Sequence, residues 1–275
     1  MKVTKSLIQK PRLIFLSPHY DDVPLVWGGY LNELAKLPAR GGKALHIINI
    51  FSRTVYQARD AVGNRDLSLK RIQFATGIRL LEDLNCLDDL LGFGGYTYQL
   101  LAERECTVRA KAWKEGEEFE FPQGAQDSFN KEDWDIFARV KHFCRRLLLA
   151  EDCAVFTTLA VKEHIDHVIV RDAVIESAKA LGRNCRAAIY FGEDQPYTGL
   201  AQADDTSKAQ MLIDRLKLEP IDYRIDLRRK TRLVMKHYSS QVEESYRQGL
   251  LLRARQLAGR NEAKSEMERI YKWNR

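Results

Sequence analysis

No stretch of about 18 consecutive apolar residues occurs in the chain, which excludes a membrane-spanning helix on the usual length criterion. Cysteine is scarce and odd in number, with Cys86, Cys106, Cys144, Cys153 and Cys185 the only five, and none is at C-x-x-C spacing. That excludes a disulfide framework and a cysteine-built zinc site, and it suits thiols in a reducing compartment. Seven prolines and 16 glycines are too few for a collagen-like or low-complexity chain, and a hydrophobic content of 45% is too high for wholesale disorder. Three lysines fall within the first ten residues, but the apolar stretch that follows, residues 13–16, is too short for a secretory core. These absences lead to the expectation of a soluble, cytoplasmic protein.

What is present is a 275-residue chain with a net charge of +6, long enough for one large α/β domain or two ordinary ones. The charge is uneven. Residues 206–275 hold 17 Lys+Arg against 9 Asp+Glu, while the preceding 205 hold 27 against 29. A basic tail suits phosphate or an anionic surface, and Arg228-Arg229-Lys230-Thr231-Arg232 is its densest cluster. Interspersed acidic residues equally suit a solvated helix face.

Hydrophobic periodicity alternates short apolar runs with helical stretches. Strands are expected at 12–17, 44–51, 153–158, 187–191 and 221–227, with a weak one at 90–93. Helices are expected at 25–37, 67–84, 131–149 (capped by Asn130 or Asp133) and 168–181 (stopped by Gly182), and over most of 228–257. Residues 94–126 read as an insertion or flap, with a small hairpin at 117–122, and residues 228–275 as a basic C-terminal helical segment. Trp27 reads as a core residue. No linker composition or fixed-period repeat divides the chain. The expected architecture is a single α/β domain over residues 1–275. It is a Rossmann-like three-layer sandwich with a mostly parallel sheet and helices on both faces.

In such sheets ligands gather at the carboxyl ends of the strands. Two segments expected there as polar loops are rich in ligating groups: Ser17-Pro18-His19-Tyr20-Asp21-Asp22 and His164-Ile165-Asp166-His167. Imidazole plus carboxylate suits zinc or another divalent ion such as Fe²⁺ or Mn²⁺. Taken singly, Asp21-Asp22 equally suits capping of the following helix, and one histidine equally suits a structural position. Together on one sheet edge, these groups call for a cation to organise them.

The two motifs resemble those of the PIG-L/LmbE-like zinc-dependent N-deacetylases, in the branch that begins S-P-H-x-D-D. Gly28-Gly29, the Glu193-Asp194-Gln195-Pro196-Tyr197 segment and Lys236-His237-Tyr238-Ser239-Ser240-Gln241 add to the resemblance, which runs from about residue 12 to 241. It implies His19, Asp22 and His167 as metal ligands and Asp21 as the general base on a metal-bound water. It also implies a protonated His164 as the oxyanion partner, with Asp166 holding its imidazole. Asp194, Tyr197, Tyr238 and Gln241 become candidates for the sugar rim, although a tight Asp-Gln-Pro turn suits the first pair and plain packing the second. The implied reaction removes acetyl from an N-acetylated sugar or sugar conjugate. Val23 and Tyr20 depart from the Glu and Pro that many members carry. The family's Arg-x-x-Glu pattern in the helix after strand two has no clean match at Arg71; Arg71 and Arg53 remain candidates for substrate contact, and surface salt bridges suit both as well.

Two other function classes compete. A nucleotide- or nucleic-acid-binding Rossmann-like protein is disfavoured because acidic groups occupy the place of G-x-G-x-x-G, and no RNP-like aromatic motif is present. A non-catalytic relative is disfavoured by the presence of all three presumed ligands and the base.

Overall fold

The computed structural model describes residues 10–38, 42–109, 121–150, 152–259 and 266–275. The apolar runs form β1 (Arg12–Ser17), β2 (Ala44–Asn49), β3 (Thr97–Leu100), β4 (Cys153–Thr158) and β5 (Ala188–Gly192), all parallel. They belong to one sheet of order β3-β2-β1-β4-β5-β7-β6. Its last two strands, β6 (Leu218–Arg224) and β7 (Met267–Trp273), are antiparallel to each other, and β7 is antiparallel to β5. The helices are α1 (Asp22–Ala35), α2 (Leu69–Leu91), α3 (Lys131–Leu148), α4 (Ile165–Leu181), the single turn α5 (Tyr197–Leu200), α6 (Ala203–Leu216), α7 (Leu227–His237) and α8 (Glu244–Ala258).

The inner strands are apolar on both faces because both faces are covered. Ile14 and Leu16 of β1 pack with Ile136 and Val140 of α3 and Val168 of α4. Leu13 and Phe15 point the other way, onto Trp27 and Tyr30 of α1 and Leu87 of α2. The result is the expected three-layer α/β arrangement, and Trp27 is fully buried in it. All five cysteines are buried thiols. Among the described residues no helix is long and apolar enough to cross a membrane.

Several local expectations need correction. Residues 90–91 continue α2 to Leu91, so the strand expected at 90–93 is absent; β3 lies later, at Thr97–Leu100, inside the stretch expected to be an insertion. Its neighbour is β2, and pairing with an existing strand outweighs its weak apolar signal. The helices at 197–216 have no counterpart in the sequence reading. The strand expected at 221–227 begins and ends three residues earlier, because Asp226 caps α7 by accepting from Arg229 N. The segment 228–275 is not helical throughout: β7 lies between β5 and β6. Its charges hid it, yet Glu268 is buried against Lys230, and Arg269 pairs with Asp222 at 2.5 Å. The hairpin expected at 117–122 falls mainly outside the described residues. At the start of α3 both proposed caps act together, as Asn130 and Asp133 form a capping box.

The α5 turn lies directly on α8. A Cβ at Gly199 would run into the carbonyl oxygen of Gly249, and one at Gly249 into that of Pro196. This approach lets the Tyr197 and Tyr246 hydroxyls meet at 3.1 Å. Gly199→Ala is expected to lower stability by about 1–3 kcal/mol through overpacking. A urea titration should show a lower midpoint with an unchanged slope, and an unmoved midpoint would refute the contact.

Candidate active site

The loops that leave the carboxyl ends of β1, β4 and β5 converge. After β1 the chain turns tightly, with Ser17 Oγ donating to His19 O at 2.5 Å and His19 N donating to Asp22 Oδ2 at 2.7 Å. Asp21 occupies the N-cap position of α1, but its side chain makes no capping bond, so its carboxylate is not committed to the helix. After β4, His164 is the N-cap of α4, and Asp166 and His167 lie in its first turn. The second motif is therefore a helix start, where residue spacing fixes side-chain direction more tightly than a loop does.

Three donor atoms form a near-equilateral triangle. His19 Nδ1 lies 3.5 Å from Asp22 Oδ2, His167 Nε2 lies 3.4 Å from the same oxygen, and the two nitrogens are 3.2 Å apart. Bonds of about 2.0–2.2 Å at a tetrahedral angle separate donors by about 3.3–3.6 Å, so this set fits a zinc-sized ion. His164 is close by, and His19, His164 and His167 also present nitrogens within 4.8 Å of one another.

Both histidine candidates are held from behind. His167 Nδ1 is 2.6 Å from Asp194 Oδ1, and Asp194 Oδ2 accepts from Val161 N at 3.0 Å. Asp194 thus orients a histidine, whereas the resemblance had it on the sugar rim. His19 Nε2 is 3.1 Å from Asp166 Oδ2 and 3.6 Å from Glu105 Oε1. The Asp166 carboxylate also accepts from Cys106 N at 2.9 Å and Arg109 Nη2 at 2.6 Å. It therefore braces His19 where the resemblance had it holding His164, which Asp166 touches only by its backbone N–H, donated to Nδ1 at 3.3 Å.

The electrostatics favour a cation. Burial alone would strip the proton from His19, but hydrogen bonds to Asp166 and Asp22 outweigh it and raise its pKa to about 10. Burial opposes ionisation of Asp22 as well, and His167 and His19 overcome it, holding the carboxyl at about 2. Asp21 differs: burial first, then the adjacent Asp22 charge, push it up to about 6. Arg79 Nη2, 3.6 Å away, only partly offsets them. Burial, then His19 and His167, drive His164 well below its ordinary value. Its imidazole is neutral, with Nδ1 as acceptor and Nε2 carrying the hydrogen.

The cavity beside this triangle measures about 30 Å³ and is lined by Asp21, Arg79, Glu105, Phe121, Tyr197 and Gln241 among others. Gln241 donates to Glu82 Oε2 at 3.2 Å, while its buried Oε1 has no partner among the described residues. Three other candidates stand outside this lining. Arg71 ties down the 55–64 loop through Val55 O, Asp60 and Asn64. Arg53 is exposed and stands outside the lining. Tyr238 is fully buried and donates to Asp83 Oδ1 at 2.5 Å. Lys162 lies over the Tyr197 ring at 5.8 Å. The sequence reading missed Arg79, Glu105, Phe121 and Tyr246. Arg79-Leu80-Leu81-Glu82 carries the Arg-x-x-Glu spacing sought around Arg71, two turns further along α2. Its Arg79 pairs with Glu105 at 2.7 Å, and its Glu82 accepts from Ser240 N at 2.7 Å. A larger groove of about 790 Å³ between α4 and α6 is lined by charges of both signs, including Asp172, Glu176, Lys179 and Lys208.

Asp83 adds a pH signature. Burial raises its carboxyl to about 8, despite the Tyr238 and Tyr98 hydroxyls, so it is protonated in the fold and ionised in the unfolded chain through neutral pH. Its contribution to stability is full below about pH 4 and is lost as pH rises to about 8. Asp83→Asn should therefore gain on the wild type between pH 5 and pH 8 in denaturant titrations, about the span over which the carboxyl titrates. A constant difference would refute the shift.

No family model matches the chain, and no curated protein matches its sequence. Solved structures do match its shape. Dbv21, the A40926 pseudoaglycone deacetylase, is similar over 97% of this chain and 98% of its own, at TM-score 0.64 and 21% identity. The two share a three-layer α/β sandwich fold. The N,N'-diacetylchitobiose deacetylase of Pyrococcus horikoshii has it too (98% and 88% covered, TM-score 0.54, 15% identity). So does GalB, a 4-carboxy-2-hydroxymuconate hydratase of Pseudomonas putida KT2440 (95% of each chain, TM-score 0.53, 14% identity). This fold thus carries more than one chemistry, and it is the site that decides the reaction.

Proposed function

We propose that the chain is a metal-dependent hydrolase that removes an acetyl group from the nitrogen of an N-acetylated sugar or sugar conjugate. The observation that carries this reading is the donor triangle of His19, Asp22 and His167 with the uncommitted carboxylate of Asp21 beside it. A divalent ion held by those three residues would supply Lewis acidity toward the attacking water and the acyl carbonyl. Zn²⁺ suits the donors, as do Fe²⁺ and Mn²⁺.

Asp21, with its carboxyl near 6, takes the proton from that water and returns it to the leaving amine. His164 meets the developing oxyanion through Nε2–H as a neutral donor, not as the imidazolium that the resemblance implied. Asp166 and Asp194 position His19 and His167. Gln241 Oε1, Arg79 and the paired Tyr197 and Tyr246 hydroxyls offer hydrogen bonds to a polyhydroxylated substrate. The basic cluster offers fewer free charges to a nucleic acid than its sequence suggests, because Lys230 is buried against Glu268 and Arg229 bonds to Asp89 O at 3.2 Å.

The test measures bound metal and free-amine release from N-acetylglucosamine conjugates. Activity is expected to vanish after chelation and to return with Zn²⁺, Fe²⁺ or Mn²⁺. Full activity in metal-free protein, or failure to bind any of these ions, would overturn the reading.

A further inference from the structure

The turn at residues 105–109 brings a thiol to the same nitrogen of His164 that is assigned to the oxyanion. Cys106 Sγ lies 3.8 Å from His164 Nε2, and Cys106 N donates to Asp166 Oδ2 at 2.9 Å. Sγ, an imidazole nitrogen of His164 and a carboxylate oxygen of Asp166 all lie within 4.8 Å of one another. A thiolate and an imidazole bound to one tetrahedral ion, at about 2.3 and 2.0–2.1 Å, stand about 3.5–3.6 Å apart. The observed sulfur–nitrogen separation needs only a small closure to meet that. Cys106 is fully buried, while His164 is partly exposed and lines the cavity, so an ion would enter past the imidazole. None of these three residues belongs to the His19, Asp22, His167 triangle.

The geometry points to a second cation site, formed by Cys106, His164 and Asp166, for a thiophilic divalent ion such as Cd²⁺ or Zn²⁺. On binding, the ion replaces the Cys106 thiol proton, which leaves to solvent, and takes the Nε2 position of His164, whose hydrogen passes through solvent to Nδ1 as the long 3.3 Å bond from Asp166 N to that nitrogen is given up. Hard ions such as Mg²⁺ or Ca²⁺ do not displace a thiol proton and leave the site empty. Filling the site removes the one side-chain donor assigned to the oxyanion. The protein then needs a metal for turnover yet is silenced by excess of a soft one. The binding site stands on the geometry alone, whereas the loss of turnover rests on the deacetylase reading above.

The experiment titrates metal-free protein with Cd²⁺ and follows the ultraviolet thiolate-to-cadmium charge-transfer band. Wild-type protein is expected to take up two equivalents, the band accompanying one of them. Cys106→Ser is expected to bind one equivalent without the band, and that retained equivalent also reports an intact fold. In the same proteins loaded with one equivalent of Zn²⁺, added Cd²⁺ should abolish amine release by the wild type and spare Cys106→Ser. A wild-type titration without a thiolate band overturns the site without recourse to any variant, as does a band that persists in Cys106→Ser. If the band behaves as expected but neither protein releases amine from acetylated sugars, the second site stands and the deacetylase reading falls.

Discussion

Asp21→Asn should retain its metal and lose turnover by about 10²–10⁴-fold, the usual contribution of a positioned general base. The change removes one carboxylate charge and almost no volume, and Asp21 makes no capping bond whose loss would disturb α1. The neighbouring change, Asp22→Asn, should do the opposite in the metal assay. Asp22 Oδ2 is the corner shared by both histidines and also accepts the His19 backbone N–H at 2.7 Å. Metal quantified after gel filtration separates the two variants, and kcat with saturating metal measures the first. If Asp21→Asn loses the ion, the roles of the two aspartates are exchanged. If it keeps near-normal turnover, the base lies elsewhere.

A second large effect is expected from Arg109→Ala. Arg109 Nη2 lies 2.6 Å from Asp166 and Nε 3.1 Å from Asp133, with all three side chains shielded from solvent. Removing the guanidinium takes away the buried cation that bridges the two carboxylates, and breaking a buried pair of this kind costs about 3–5 kcal/mol. The pH dependence identifies the mechanism. Burial by itself would raise the Asp166 carboxyl, and Arg109 is the largest influence holding it down. In the wild type that depressed pKa adds stability above the unfolded carboxylate value, and this is lost as pH falls. Without Arg109 the carboxyl titrates higher, so the gap between variant and wild type should narrow in acid. Denaturant titrations near pH 7 and in mild acid measure it, and a gap independent of pH would point to lost packing instead.

Much of this architecture is legible in the sequence, because parallel strands covered on both faces must be apolar throughout and a sheet of them has one chemical edge. That logic brings His19 to Asp22 and His164 to His167 to one edge from the sequence alone. It could not tell which histidine the Asp166 carboxylate serves, since spacing along α4 fixes only where the group starts. Arg109 and Glu105 arrive from a turn with no motif of its own, and only the folded chain puts them against Asp166 and His19. Arg79 is different: its Arg-x-x-Glu spacing was present in the sequence and was sought two turns too early. β7 was hidden because Glu268, Arg269 and Lys272 looked like solvent-facing charges, although Glu268 and Arg269 have partners.

The interior position of β7 also constrains the order of assembly. β6 leaves the ribosome before β7 but has no neighbour in the sheet until residues 267–273 slot between it and β5. The five parallel strands can pair among themselves first, while this last, long-range insertion is a slow kind of contact to form. Tyr271 then donates to Glu193 at 3.0 Å, beside the Asp194 that aims His167. A strand without a single proposed catalytic residue thus holds the segment from which Asp194 aims His167.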